Sequence, residues 1–153
     1  VNNHQLRELI IRPALIELDM YSQNAEDLIA GTIAQESRYG HFIKQVGGGP
    51  ALGICQMEPA THNDIHDNYL SYRPEMMESL EGIGKFCDAS EMIWNLRYSV
   101  AMCRIHYYRQ PGAIPKDIQG QAEYWKKYYN TPMGKGTADD YVYNYGRYAI
   151  RKG

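Results

Sequence analysis

Apolar residues recur at steps of three and four along most of the chain, and no long stretch alternates strictly between apolar and polar, so the pattern predicts helices throughout. Leu6, Leu9, Ile10, Ile11, Leu15, Ile16 and Leu18 give a first helix over residues 4–19, with Pro13 as a kink or a helix start. A second begins near Asn24, a good N-cap followed by Glu26 and Asp27, and runs to about Ser37 before Gly40. Residues 44–57, "KQVGGGPALGICQM", carry Gly47, Gly48, Gly49 and Gly53 and predict an irregular loop or a small β-hairpin whose backbone approaches something closely. Further helices fit residues 59–69, 75–85 and 119–129, and a long one fits 90–109, stopped by Pro111. The last, over 137–151, opens with Thr137 and Asp140 three residues on, a near relative of the capping box. Tyr141, Tyr145 and Tyr148 share one face of it; that stripe fits a cleft wall or the docking of the helix, and docking is the expectation.

A chain of 153 residues with no repeat and no low-complexity linker reads as one domain, 1–153, mainly α. At this length folding buries roughly 68–70% of the unfolded surface, enough for a core of its own. The formal net charge of -2 excludes the basic excess of a nucleic-acid-binding domain. Cys55, Cys87 and Cys103 lack metal-ligand or disulfide-framework spacing and read as free thiols. No apolar run is long enough for a membrane span, and the first twenty residues lack the features of a signal peptide, so the chain is expected to carry no export signal of its own.

One position breaks the pattern. Ala25, Leu28, Ile29, Thr32, Ile33 and Glu36 follow one another along a single stripe, which sets a carboxylate on the apolar side at the C-terminal end of the second helix. Desolvation and the negative pole of the helix both favour its protonated form. A carboxylic acid held at a pKa of about 6 by apolar surroundings suits general acid catalysis at a glycosidic oxygen. The plainer alternatives are an ion pair with Arg38 or Arg97, or a fraying helix end.

Taken together, "IAQESRYG", the glycine-rich segment and "ALGICQMEPATHNDI" resemble the soluble lytic transglycosylase family, whose domain is lysozyme-like and cleaves peptidoglycan glycan strands. Glu36-Ser37 match its Glu-Ser, Gly53-Ile54-Cys55-Gln56 its Gly-Leu-Met-Gln, and Met57 to Thr61 its Met-Pro-x-Thr-Ala with Glu58 inserted. Its Tyr-Asn-Ala-Gly motif has a partial counterpart in Tyr129-Asn130, with Thr131-Pro132 departing. The likeness covers residues of about 24 to 148 and is greatest to the domains carried by bacteriophage particles.

The resemblance implies that Glu36 protonates the oxygen between N-acetylmuramic acid and N-acetylglucosamine. As a carboxylate it then deprotonates the muramic acid C6 hydroxyl, which closes a 1,6-anhydro ring. It implies further that Tyr129 orients Glu36 through its hydroxyl, and that Ser37, Gln56, Met57 and Asn130 meet the sugar, with no metal and no organic cofactor. The bland alternatives are a loop-stabilising amide for Gln56 and core filling for Met57. Peptidoglycan is then the partner, together with other virion proteins if a phage particle delivers the chain to the cell wall or host periplasm. A goose-type muramidase would hydrolyse the same bond with water, positioned by an Asp such as Asp64. A non-catalytic peptidoglycan-binding or virion structural module would keep the fold alone. His62 and His66 sit at i and i+4, but Asn63 stands where the zinc-protease motif needs Glu. Cys55 with His62 or His106 would make a Cys-His peptidase, a reading that leaves the Glu-Ser pair unexplained.

Overall fold

In the computed structural model, which describes residues 1–131 and 133–152, the first helix runs unbroken through Pro13. This helix, α1 (residues 3–17), widens into a π-helical stretch over Leu6–Ile11, where the Arg12 N–H reaches back five residues to the Arg7 carbonyl. Proline has no N–H to donate to Leu9. The Leu9 carbonyl accepts instead from Arg97 Nε at 3.1 Å. α1 buries Leu6, Ile11, Ala14 and Leu15, while Leu9 and Ile16, from the same apolar pattern, remain exposed.

α2 (Gln23–Ser37) starts two residues earlier than an Asn24 cap implied, because Ser22 is the cap and accepts from the Ala25 N–H at 3.0 Å. It ends where Arg38, Tyr39 and Gly40 turn left-handed in succession. Next come α3 (Pro59–Asn68) and α4 (Pro74–Glu81), the latter shorter than the 75–85 expectation. The long helix expected over 90–109 is two: α5 (Glu91–Trp94) and α6 (Leu96–Tyr108), parted by extended Asn95. Asn95 Oδ1 caps α6 at the Tyr98 N–H, and its Nδ2 donates to the Glu91 carboxylate and to the Ile83 carbonyl. These side-chain bonds replace the backbone bonds a continuous helix would have made. α7 (Ile118–Trp125) continues as a π-helical turn over Lys126–Asn130, and α8 (Ala138–Asn144) likewise over Tyr145–Ala149. Thr137 and Asp140 form the full capping box of α8.

The glycine-rich segment forms no strand among the described residues, so the small hairpin is absent and the irregular loop is what folds. It is fastened by two isolated antiparallel bridges, Lys44 with Leu52 and Leu52 with Met57. No helix among the described residues is long and apolar enough to cross a membrane.

α2 is wrapped by α1, α6, α7 and α8, and Leu28, Ile29, Ile33 and Ala34 are fully buried in that layer with Trp125, Tyr107 and Tyr141. A second apolar layer, with Ile65, Leu80, Met92 and Met102, packs on the other side of α6. Tyr141 and Tyr145 are buried, so the tyrosine stripe docks α8. The α2 backbone meets that dock at Gly31, where a Cβ would lie 2.1 Å from the Tyr141 hydroxyl oxygen. That hydroxyl donates to the Leu28 carbonyl at 3.1 Å, and the tyrosine is fully buried. Gly31→Ala is therefore expected to destabilise the fold by about 1–3 kcal/mol despite alanine's better helix propensity, read as a lower urea midpoint.

Candidate functional site

Glu36 ends the buried stripe of α2 at the floor of a cleft of about 490 Å³, a size suited to a sugar ring. Its carboxylate Oε2 accepts from the indole N–H of Trp125 at 3.0 Å. No ion pair involves Glu36 among the described residues, and Arg97 is spent on the Leu9 carbonyl, so the ion-pair alternative falls away. Burial pushes the Glu36 carboxyl up to about 7, against the smaller opposing pull of the indole donor. The acid is thus largely neutral below that pH and ionised above it.

The loop that forms the opposite wall owes its shape to Gly53, at φ +79°, where a Cβ would lie 2.2 Å from the Met92 carbonyl oxygen. This is the close approach that the glycines announced. Gln56 follows in the left-handed region at φ +52° and donates its Nε2 to the Gly53 carbonyl at 2.8 Å. Gln56 therefore stiffens the loop and lines the cleft at once. Glu58 and Asn130 also line it, and Phe42 and Val46 supply its apolar side. Asn130 accepts from Lys126 Nζ at 2.7 Å through Oδ1, and its amide N–H groups meet no acceptor among the described residues.

Tyr129 lies in the cleft wall, but its hydroxyl donates to the Cys55 carbonyl at 2.5 Å rather than to Glu36. Its ring stacks on Tyr107 at 5.3 Å and meets the edge of His106 at 5.3 Å. Tyr129 therefore anchors the loop, and the orienting hydrogen bond on Glu36 comes from Trp125. Trp125 lies four residues before Tyr129 on the same helical face, and a buried indole must find an acceptor. That spacing was the available signal for it.

Ser37 stands outside the cleft. It is fully buried, donates to the Ile33 carbonyl and accepts from the Gly40 N–H, so its hydroxyl closes the helix end instead of meeting a sugar. Met57 is 3% exposed and belongs to the second apolar layer, touching only a side cavity of about 60 Å³ that it shares with Gln56, Glu58 and Tyr129. Asp64 is absent from the cleft lining and is held by Arg109 at 3.0 Å and Asn68 at 2.7 Å. Of the partial Tyr-Asn motif, Pro132 lies outside the described residues.

His62 and His66 both point Nε2 at the Tyr98 hydroxyl, at 2.6 and 2.9 Å. His62 Nδ1 faces Asn63 Oδ1 at 2.9 Å. If His62 donates there, it accepts from Tyr98, and Tyr98 accepts from His66; the three form a closed relay with no lone pair turned to a shared centre. Cys55 and Cys103 are buried free thiols.

The folded-state pKa of Glu36 lies above the ordinary 4.5, so the native state holds its proton the more tightly. The associated stability is present at low pH and is lost as pH rises from about 4.5 through 7. Glu36→Gln, whose amide oxygen still accepts from Trp125, removes that loss. Its stability relative to wild type is expected to be about 2–3 kcal/mol better at pH 8 than at pH 4, measured by urea denaturation at both. Trp125→Phe deletes the donor that favours the carboxylate and is expected to move the Glu36 titration above 7, followed by carbon-13 NMR of the side-chain carboxyl.

Compared with protein-family models, curated proteins and solved structures, the chain shows no significant match.

Proposed function

We propose that the chain is a lytic transglycosylase with a lysozyme-like domain, which cleaves the bond between N-acetylmuramic acid and N-acetylglucosamine in peptidoglycan and leaves a 1,6-anhydro end. The observation that carries the reading is Glu36: a carboxyl without a cationic partner, neutral up to about pH 7 and set in a cleft that could take a sugar. In that state it donates its proton to the leaving oxygen as the glycosidic bond breaks. The carboxylate produced, still held by the Trp125 N–H, takes the C6 hydroxyl proton as that oxygen closes on C1. The acid is thereby regenerated, and no water or second carboxylate is consumed. Gln56 and Asn130 offer amides to the sugar substituents, while Phe42 and Val46 offer apolar contact to an acetamido methyl or lactyl group. Delivery to the cell wall by a phage particle is part of the same proposal.

A hydrolytic outcome, as in a goose-type muramidase, is favoured by one specific feature, the second carboxylate Glu58 in the same cleft. Such a carboxylate would activate water where the transglycosylase uses the substrate's own hydroxyl.

Mass spectrometry of the fragments released from purified peptidoglycan separates these. Anhydro-muramic ends from wild type, with a fall of about 10³-fold or more in Glu36→Gln, are the expected result. Reducing ends would transfer the reaction to the muramidase class, and intact glycan with both proteins would leave a binding or structural module.

A further inference from the structure

The ion network at the start of α2 opens to solvent through a second cavity, of about 380 Å³, between the first turn of α1 and the segment after α8. Its walls are rich in donors: Arg7, Arg12, Arg151 and Lys152, with the amides of Asn3 and Gln23, and no carboxylate lines it among the described residues. This cavity lies away from the Glu36 cleft and shares none of its lining residues.

The cations do not all have the same freedom. Arg7 is 4% exposed and donates to Asn3, Glu26, Asp27, Tyr145 and the Ala149 carbonyl, which uses every N–H of its guanidinium. It forms a fixed positive floor. Arg12 gives Nε to Glu26 at 2.9 Å, and Arg151 gives Nε and Nη2 to Asp27 at 3.0 and 3.3 Å. Among the described residues each of these two leaves its Nη1 amino group without a partner. Lys152 makes no hydrogen bond or ion pair among the described residues. Glu26 and Asp27, at 0% and 8% side-chain exposure, sit behind the guanidinium groups. Glu8 is turned to His4 at 2.7 Å. Among the described residues, the carboxylates paired with these four cations are Glu26 and Asp27, which leaves the set a surplus of two positive charges.

We infer that this cavity binds a phosphate dianion, either inorganic phosphate or a phosphate monoester. A dianion matches the surplus charge, and its tetrahedral oxygens can accept from Arg12, Arg151 and Lys152 at once. A phosphodiester or a carboxylate carries half the charge and leaves part of the surplus unanswered. The bound anion would join α1 to the segment after α8 above the buried ion network, and because only the folded chain assembles the site, binding would raise the thermal midpoint.

The test is thermal unfolding and calorimetric titration of the full chain with inorganic phosphate, glycerol 3-phosphate and a glycerophosphodiester, each against chloride at matched ionic strength. Saturable binding with a raised midpoint is expected for the first two, and weaker binding for the diester. Tighter binding of glycerol 3-phosphate than of phosphate would assign the site to an ester, and the reverse order to the free ion. Lys152→Glu, which removes no hydrogen bond or ion pair among the described residues, should keep the unliganded midpoint and weaken phosphate by about three- to tenfold. Arg12→Gln should weaken it too, with a lower starting midpoint because Glu26 loses a partner. A midpoint that rises equally in chloride, or phosphate binding unchanged in Lys152→Glu, overturns the inference. Peptidoglycan cleavage enters none of these readouts, so the result stands apart from the proposed activity.

Discussion

A helix packed on every side can keep ionisable groups only where the surroundings answer them, and α2 meets that constraint in opposite ways at its two ends. At the N-terminal end, burial pushes the Glu26 carboxyl up, but Arg12, Arg7 and Gln23 outweigh it, and its pKa falls below the ordinary value. At the C-terminal end Glu36 meets burial with only an indole N–H in opposition, and its pKa rises to about 7. Glu26 is therefore held as a carboxylate and Glu36 as a proton store on the same helix, and the difference is the presence of a cation. Their effects on stability run in opposite directions with pH. The stabilisation from Glu26 is present above the ordinary carboxylate range and lost as pH falls through its lowered pKa, whereas that from Glu36 is lost as pH rises. Without Arg7, Glu26 would keep Arg12 and Asp27 would keep Arg151, so neither carboxylate would be left without a cation.

The cleft wall depends on another buried carboxylate, outside the cleft itself. Glu91 is fully buried and accepts from the backbone N–H groups of Lys85, Phe86 and Cys87 at 2.6–2.7 Å, and from Asn95 at 2.7 Å. Burial pushes its pKa up, and these four donors together bring it below the ordinary value. Held this way, the turn before α5 fixes where the Met92 carbonyl stands, and that carbonyl leaves room for nothing larger than glycine at position 53. Gly53 in turn sets the tight turn in which Gln56 is left-handed and faces the cleft. The order of dependence runs from a buried anion, through backbone, to the side chain that would meet a ligand.

Much of this was legible in the chain. Helical periodicity located the helices, and the break in that periodicity at Glu36 singled out the residue with the most consequential pKa shift in the cleft. What was not legible has a common physical origin: side-chain hydrogen bonds, near and far along the chain, whose partners only the folded geometry brings together. Asn95 splits a helix because Glu91 and Ile83 are there to receive it. Pro13 sits inside a helix because Arg97, 88 residues beyond Leu9, takes the Leu9 carbonyl that proline leaves unpaired. Ser37 looked available because its spacing to Glu36 fits a motif, yet the left-handed residues after it bring the Gly40 N–H onto its oxygen. The Tyr129 hydroxyl found the Cys55 carbonyl, and Trp125 found Glu36, through packing of α7 that periodicity does not specify.

The proton inventory around the cleft narrows what the site can do. Burial pushes the Tyr129 hydroxyl well above its ordinary range, so it stays protonated at neutral pH. His106, beside Tyr129, is pushed down to about 4, by burial first and then by the charge of Arg109, so it stays neutral. Low polarity thus drives three different groups towards their uncharged forms, and among them Glu36 alone is left titrating near pH 7. A site with one exchangeable proton at working pH can donate that proton and recover it, which is what an acid that later serves as base requires. A mechanism with separate acid and base must take its second group from Glu58, an exposed carboxylate on the rim of the same cleft. Under the proposed reading, the choice between internal ring closure and attack by water reduces to whether Glu58 takes part once a glycan fills the cleft.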